Sequence, residues 1–265
     1  MKTNLNKQFF IFIFLLSSAI AQDLSALEIM GRVLGSPKPK SSITDIKLEI
    51  VRMKRGKEKV KVREFTRYQK NYDTGKYKSK SLARFKKPFT VKGTGLLSWV
   101  HRNGKTDQWF FLPKLQTAKR VKAKEKGKSF MGTDFIYEDL ESRKTGQDSL
   151  RLVGTEFISG QLCKVIMAWP KTESVYHSRK IWVNTQNWKI RKIEFYSEES
   201  HLEKTLTISN FIEKNGFITP GKMVMEKTNG KKTIMEINNF KPNVGLKDEI
   251  FSESFLIKFL RLIFF

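Results

Sequence analysis

The chain has 265 residues, 51 Lys and Arg against 26 Asp and Glu, a formal charge of +25 and a pI of about 10.0. Hydrophobic residues make up 39 % and aromatics 12 %, with 21 Phe, which is too much core-forming material for a disordered polycation. Three His and one Cys exclude a Cys-rich zinc module, a disulfide scaffold and most His-dependent metal sites.

At the N-terminus, Lys2 and Lys7 flank a short polar stretch before the apolar run 9–16 (FFIFIFLL), and residues 17–21 end in a small-x-small pattern. This predicts a Sec signal peptide over 1–21, cleaved after Ala21. The run 9–21 is short of the roughly 20 residues of a membrane span. The sole cysteine, Cys163, is far from the cleavage site, so a lipid-anchored form has no acceptor thiol. The expectation is a soluble protein of the periplasm. Cys163, within LCKVI, reads as a small apolar strand position. Removing Lys2 and Lys7 lowers the charge from +25 to +23. An exported protein seldom meets nucleic acid, so the expected counter-charge is an anionic membrane surface or glycolipid phosphate. The other reading is that lysines occupy wet sheet faces and block edge pairing.

Residues 24–34 place Leu24, Leu27, Ile29, Met30, Val33 and Leu34 at helical spacing before Gly35-Ser36-Pro37, which predicts one short amphipathic helix. Beyond it the period becomes two. Ile46, Leu48 and Ile50 alternate with charges, as do Val60 and Val62, with Gly56 between the runs. Further strands are predicted at 82–85, 95–100, 108–112, 150–157, 162–169, 180–184, 189–196, 202–212, 222–226 and 233–240. Turn pairs such as Asn103-Gly104, Ser159-Gly160 and Asn229-Gly230 separate several of them. The fold class is mainly β, one large antiparallel sheet in a single domain over 22–256, followed by an apolar tail, 257–265.

The middle of the chain is the most informative part. Trp109 and Phe111 alternate with Phe110 and Leu112, so both faces of this strand are apolar and each must be covered. A helix or loop on one side with a cavity or lipid on the other explains this, and so does a sheet packed on its own helices. Residues 114–128 hold seven Lys or Arg against Glu125, and then the sign flips at Asp134, Glu138, Asp139 and Glu141. These acids resemble acid/base pairs or a Ca²⁺ loop less than a capped helical turn, with Thr133 or Asp134 as cap, paired to the basic run. His101, His177 and His201 lie near no nucleophile motif, so no catalytic residue, metal or cofactor is expected.

The block Asp107-Gln108-Trp109-x-Phe111-Leu112-Pro113, then Lys119-Arg120-Val121, then Ser129-Phe130-Met131-Gly132-Thr133-Asp134-Phe135-x-Tyr137-Glu138-Asp139-Leu140 resembles the outer-membrane lipoprotein-sorting (LolA-like) family, in its branch found with resistance-nodulation-division exporters. The likeness continues in KIWVN (180–184), KIRKIEFY (189–196) and residues 250–256. It implies an unclosed, curved antiparallel sheet, a half-barrel with an apolar concave face lidded by helices. It also implies a carrier that shelters lipoprotein acyl chains or another lipid, served by an inner-membrane exporter and an outer-membrane acceptor. Each buried CH₂ contributes about 0.8 kcal/mol, so an acyl chain needs such a shelter in water. Trp99, Trp109, Phe111, Phe130, Met131, Phe135 and Tyr137 are the candidates for cavity and lid. Arg120, in the position of the family's basic strand residue, is expected to anchor the acidic loop by a bidentate pair to Asp134 or Asp139. The alternative function is a lipid-sensing or protein-interaction half-barrel without transport. The likeness ends near Leu256. The tail IKFLRLIFF is left with three readings: a membrane-surface segment, a docked segment, or an extension of the reading frame.

Overall fold

The computed structural model describes residues 24–141 and 146–258. The predicted signal peptide, and residues 259–265 of the tail, lie outside the described residues. The predicted first helix is α1 (Ala26–Leu34), closed by a capping box in which the Ser25 hydroxyl accepts from the Glu28 amide and the Glu28 carboxylate accepts from the Ser25 amide at 2.8 Å.

Thereafter the chain is strands: β1 (Ser41–Lys54), β2 (Lys57–Asn71), β3 (Tyr77–Lys87), β4 (Gly95–His101), β5 (Thr106–Leu112), β6 (Thr117–Arg120), β7 (Asp148–Ile158), β8 (Gln161–Pro170), β9 (Ser178–Asn184), β10 (Ile190–Tyr196), β11 (Leu202–Ser209), β12 (Ile212–Lys214), β13 (Phe217–Thr219), β14 (Lys222–Lys227) and β15 (Lys232–Pro242). A short C-terminal helix, α2 (Glu253–Lys258), follows a 3₁₀ turn at Asp248–Phe251.

Thirteen of these strands form one curved antiparallel sheet in the order β6-β5-β4-β3-β2-β1-β15-β14-β11-β10-β9-β8-β7, while β12 and β13 pair separately. The strand predicted over 202–212 is broken. Asn210 takes a left-handed φ of 50°, and the backbone of Gly221 crosses its carbonyl so closely that an added Cβ would lie 1.8 Å from the oxygen. β6 lies inside the basic run, where polar residues masked it from a pattern argument.

β6 and β7 follow one another in sequence but form opposite edges of the sheet. The sheet is therefore open, and the connection 121–147 must cross a face to join its two edges. We call that face the inner one and the connection the belt. α1 packs on the same face, over Ile166, Ala168, Ile181 and Val183.

Register places apolar side chains in rows across the inner face: Leu152, Ile166, Ile181, Ile193, Leu206 and Met225 share one. The opposite face, over β3 to β6, is covered by the C-terminal segment. Phe251 and Leu256 bury Leu82, Leu97, Trp109 and Phe111 there, and the Arg84 guanidinium donates to the carbonyls of Gly93 and Leu256, both at 2.8 Å. Both sides of the 108–112 strand are thus covered by the protein itself.

Candidate functional site

The inner face of β7 to β11, roofed by α1 and by the end of the belt, encloses a cavity of about 240 Å³. Met30 and Leu34 come from the apolar stripe of α1, Phe135 from the belt, and Leu150, Ile181, Ile190, Ile193, Phe195 and Leu206 from the sheet. Polar groups gather at one side: Glu138, Asp139, Glu141, Asp148, Tyr176 and Arg179. Such a lining, apolar with a few convergent polar groups, suits an aliphatic ligand.

The belt crosses strand after strand, and each step is fastened. The Phe130 ring lies 6.0 Å from that of Phe85 on β3, and the Met131 carbonyl accepts from Arg63 on β2. Asp134 then takes a bidentate pair from Arg52 on β1, at 2.8 and 3.1 Å, and a 2.7 Å hydrogen bond from the Thr233 hydroxyl on β15. Asp139 receives Lys204 of β11 at 2.6 Å and the Tyr176 hydroxyl at 2.7 Å, and Lys204 also donates to the Asp134 carbonyl.

These groups are buried: the side chains of Lys204, Asp139 and Asp134 are 4, 3 and 2 % exposed. Burial draws the Lys204 ammonium below its ordinary 10.5, and Asp139 opposes the shift. Burial, then the charge of Asp139, pushes the Tyr176 phenol far above its usual range. Burial pushes Tyr137 up to about 12. Further along, Glu138 accepts from the Ser174 hydroxyl and the Val175 amide, and Glu141 pairs with Lys126. Carboxylates carrying cations and buried donors in this way hold a segment in place.

Two sequence expectations are corrected by this geometry. Arg120 does not anchor the acidic loop. It pairs with Asp107, which also binds His101, because β6 sits at the sheet edge with Arg120 in register with Trp109 on the side away from the belt. The cations paired with Asp134 and Asp139 are Arg52 and Lys204. Neither Thr133 nor Asp134 caps a helix: the 3₁₀ turn that follows, Glu138–Leu140, has Tyr137 at its N-cap with no side-chain cap, and the Thr133 hydroxyl donates to the Phe130 carbonyl.

The seven apolar candidates do not form one lining either, since the sheet separates them. Trp99, Trp109 and Phe111 face the C-terminal segment, with the two indoles 4.5 Å apart and the Trp99 Nε1 donating to the Phe251 carbonyl. Phe130, Phe135 and Tyr137, with Met131 against them, lie under and within the belt, and of the seven only Phe135 reaches the cavity. The remaining cavity residues read in the sequence as ordinary strand alternation, and Met30 and Leu34 as one face of a helix.

A second surface stands apart from the cavity. β15 pairs with β1 only as far as Val51, and β3 with β2 only from Glu64, so residues 52–63 project beyond the sheet as a two-stranded arm. Its turn is Arg55-Gly56, both with positive φ. The arm carries Lys54, Arg55, Lys57, Lys59 and Lys61 against Glu58, with Met53, Val60 and Val62 exposed to 63, 46 and 42 %.

Among the described residues, no group of three His, Cys, Asp or Glu is placed to hold a metal ion, and no helix is long and apolar enough to cross a membrane. A family model described as "uncharacterized protein"-like matches residues 77–258. Comparison with curated proteins finds no match.

Among solved structures, the chain is similar to a domain named for outer-membrane lipoprotein sorting from Vibrio parahaemolyticus: 26 % identity, 88 % of this chain and 98 % of that one, TM-score 0.81. A DUF1329 family protein from Desulfovibrio piger is similar at 27 % identity, over 87 % of this chain and 97 % of the other, with a TM-score of 0.81. A LolA superfamily protein from Nitrosomonas europaea shares the fold at 20 % identity, over 88 and 100 % of the two chains, with a TM-score of 0.67.

Proposed function

The chain belongs to the family matched over residues 77–258 and to the LolA-like, outer-membrane lipoprotein-sorting half-barrels, and on that premise we propose that it is a periplasmic carrier of lipoprotein acyl chains or another aliphatic lipid. The observation that carries this reading is an apolar cavity closed by a belt whose fastenings are reversible ion pairs. Its volume of about 240 Å³ lies below the roughly 300–1,000 Å³ of sites that enclose a whole small ligand. Loading therefore displaces the roof, α1 or the belt, and closing re-forms Arg52–Asp134 and Lys204–Asp139. Met30, Met131, Met223, Met225 and Met235 on or against the inner face adapt to a ligand without fixed shape.

The role is binding and transfer, without a catalytic step. An inner-membrane exporter supplies the lipid and an outer-membrane acceptor takes it. The basic, partly apolar arm 52–63 meets the anionic membrane surface at either end of the journey. Mass spectrometry of the organic extract of the natively purified protein tests the reading, together with transfer of that lipid between donor and acceptor vesicles. A co-purifying lipid that the protein moves between vesicles is the expected result. A lipid that binds but never moves favours the sensing half-barrel, and an empty protein that takes up no lipid overturns both.

A further inference from the structure

The inner face carries three arginines on β1 and β2, and two of them are compensated. Arg52 holds Asp134, and Arg63 donates to the Met131 carbonyl. The side chain of Arg67, two residues beyond Phe65 on the same face of β2, has no hydrogen bond or ion pair with any described residue. Protein surrounds its guanidinium closely enough for desolvation to lower its pKa, and no acid acts to raise it. Its side chain is nevertheless exposed to solvent. A cation crowded by protein yet open to solvent, with no acid beside it, is poised for an anion that the chain does not supply.

Register shows what surrounds it. On one side lie the apolar rows of the floor, with Phe65 beside Phe85 and, level with Arg67 itself, Ala83, Leu96 and Phe110. On the other side the next row is entirely polar: Gln69, Ser81, Ser98 and Gln108 stand in register across β2 to β5. Gln108 is 2 % exposed and its Nε2 donates to nothing. The floor thus changes from apolar to hydrogen-bonding at the strand position where the free guanidinium stands.

We propose that Arg67, with the row Gln69, Ser81, Ser98 and Gln108, is a head-group site for an anionic amphiphile, whose phosphate or carboxylate meets the guanidinium while its chain lies over the apolar rows. This rests on the carrier reading and adds to it the charge of the ligand. Neutralising a guanidinium that has no other partner gives a charge-assisted hydrogen bond, worth roughly tenfold or more in affinity.

Calorimetric binding to the full mature chain, with dodecyl phosphate, dodecanol and inorganic phosphate as separate probes, tests it in the wild type and in Arg67→Gln and Arg67→Lys. Because the Arg67 side chain makes no hydrogen bond or ion pair with any described residue, both variants are expected to keep the native circular dichroism spectrum. The wild type is expected to prefer dodecyl phosphate over dodecanol by about tenfold or more. Arg67→Gln loses that preference with dodecanol binding unchanged, and Arg67→Lys keeps part of it. Equal binding of the two amphiphiles by the wild type overturns the proposal, as does a preference that survives in Arg67→Gln. Inorganic phosphate binding as tightly as dodecyl phosphate overturns it in favour of a simple anion site. Failure of both amphiphiles to bind overturns the carrier reading beneath it.

Discussion

Replacing Lys204 by Met removes the cation that fastens the belt to β11 while keeping much of its apolar stem. Lys204 and Asp139 are both nearly inaccessible, so the variant leaves a buried carboxylate whose donors among the described residues are the Tyr176 hydroxyl and the Ile136 amide. Breaking a buried pair in this way costs about 3–5 kcal/mol. The two surviving donors argue for the lower end, about 3 kcal/mol, felt first as opening of the belt. By the 1.36 kcal/mol that corresponds to a factor of ten, this speeds exchange of the belt's closing amides on the order of a hundredfold. The reporters are the amides of Phe130, Tyr137 and Glu138, which bond to the carbonyls of Phe135, Lys128 and Lys126. Amides of the β4–β5 ladder are the internal control. Hydrogen exchange by mass spectrometry or NMR reads the effect. Adding Asp139→Leu is expected to recover most of the loss, since replacing both partners of a buried pair by apolar groups is near neutral. Unchanged belt exchange in Lys204→Met, or a double variant that loses the sum of its parts, would refute the ion-pair account of closure.

Other expectations follow from the same contacts. Gly95→Ala places a Cβ 2.6 Å from Leu256 Cδ1 and 2.9 Å from the Arg84 guanidinium; overpacking of this kind costs about 1–3 kcal/mol, read as a lower urea midpoint. Asp248 is held below its ordinary 3.8 chiefly by the Tyr72 hydroxyl, with Lys70 assisting. Its contribution is therefore complete above pH 3.8 and is lost as pH falls through the lower folded value, and Asp248→Asn is expected to flatten that acidic limb of the stability curve. Changing Lys54, Lys57, Lys59 and Lys61 together to Gln is expected to weaken co-sedimentation with anionic vesicles by about 1 kcal/mol per lysine and to reduce its salt dependence, with thermal stability unchanged. Equal sedimentation of the variant would remove the arm from the membrane contact.

Local chemistry was legible where its cause was local. The helical spacing of Leu27, Met30 and Leu34, stopped by Gly35-Ser36-Pro37, announces α1, and the alternation of Ile46, Leu48 and Ile50 announces the inner face of β1. The central block was also legible as unusual, but its partners were not. Asp134 and Asp139 find their cations 82 and 65 residues away, and a basic run close in sequence diverted the assignment to Arg120, which the sheet edge carries elsewhere. Strand parity showed that Trp109 and Phe110 face opposite ways. It could not show which layer covers which, because that depends on where α2 docks and on β6 and β7 being the two edges. For the same reason Ile181, Ile193 and Leu206 passed as plain core: a cavity is set by what α1 leaves unfilled above them.

The belt has one more property, which follows from its length. Twelve inter-strand steps separate β6 from β7, and a flat sheet would set its edges about 58 Å apart at roughly 4.8 Å per step. The 27 residues of 121–147 can span about 90 Å at roughly 3.3 Å each. The connection is therefore slack: it does not hold the sheet bent by being short, but by where it is fastened. Once unfastened it still cannot swing clear like a hinged cover, being tied at both edges. Under the proposed carrier role, a cargo would have to slide in sideways beneath it, and anything too bulky to pass under the strap would stay outside while its chain is held within.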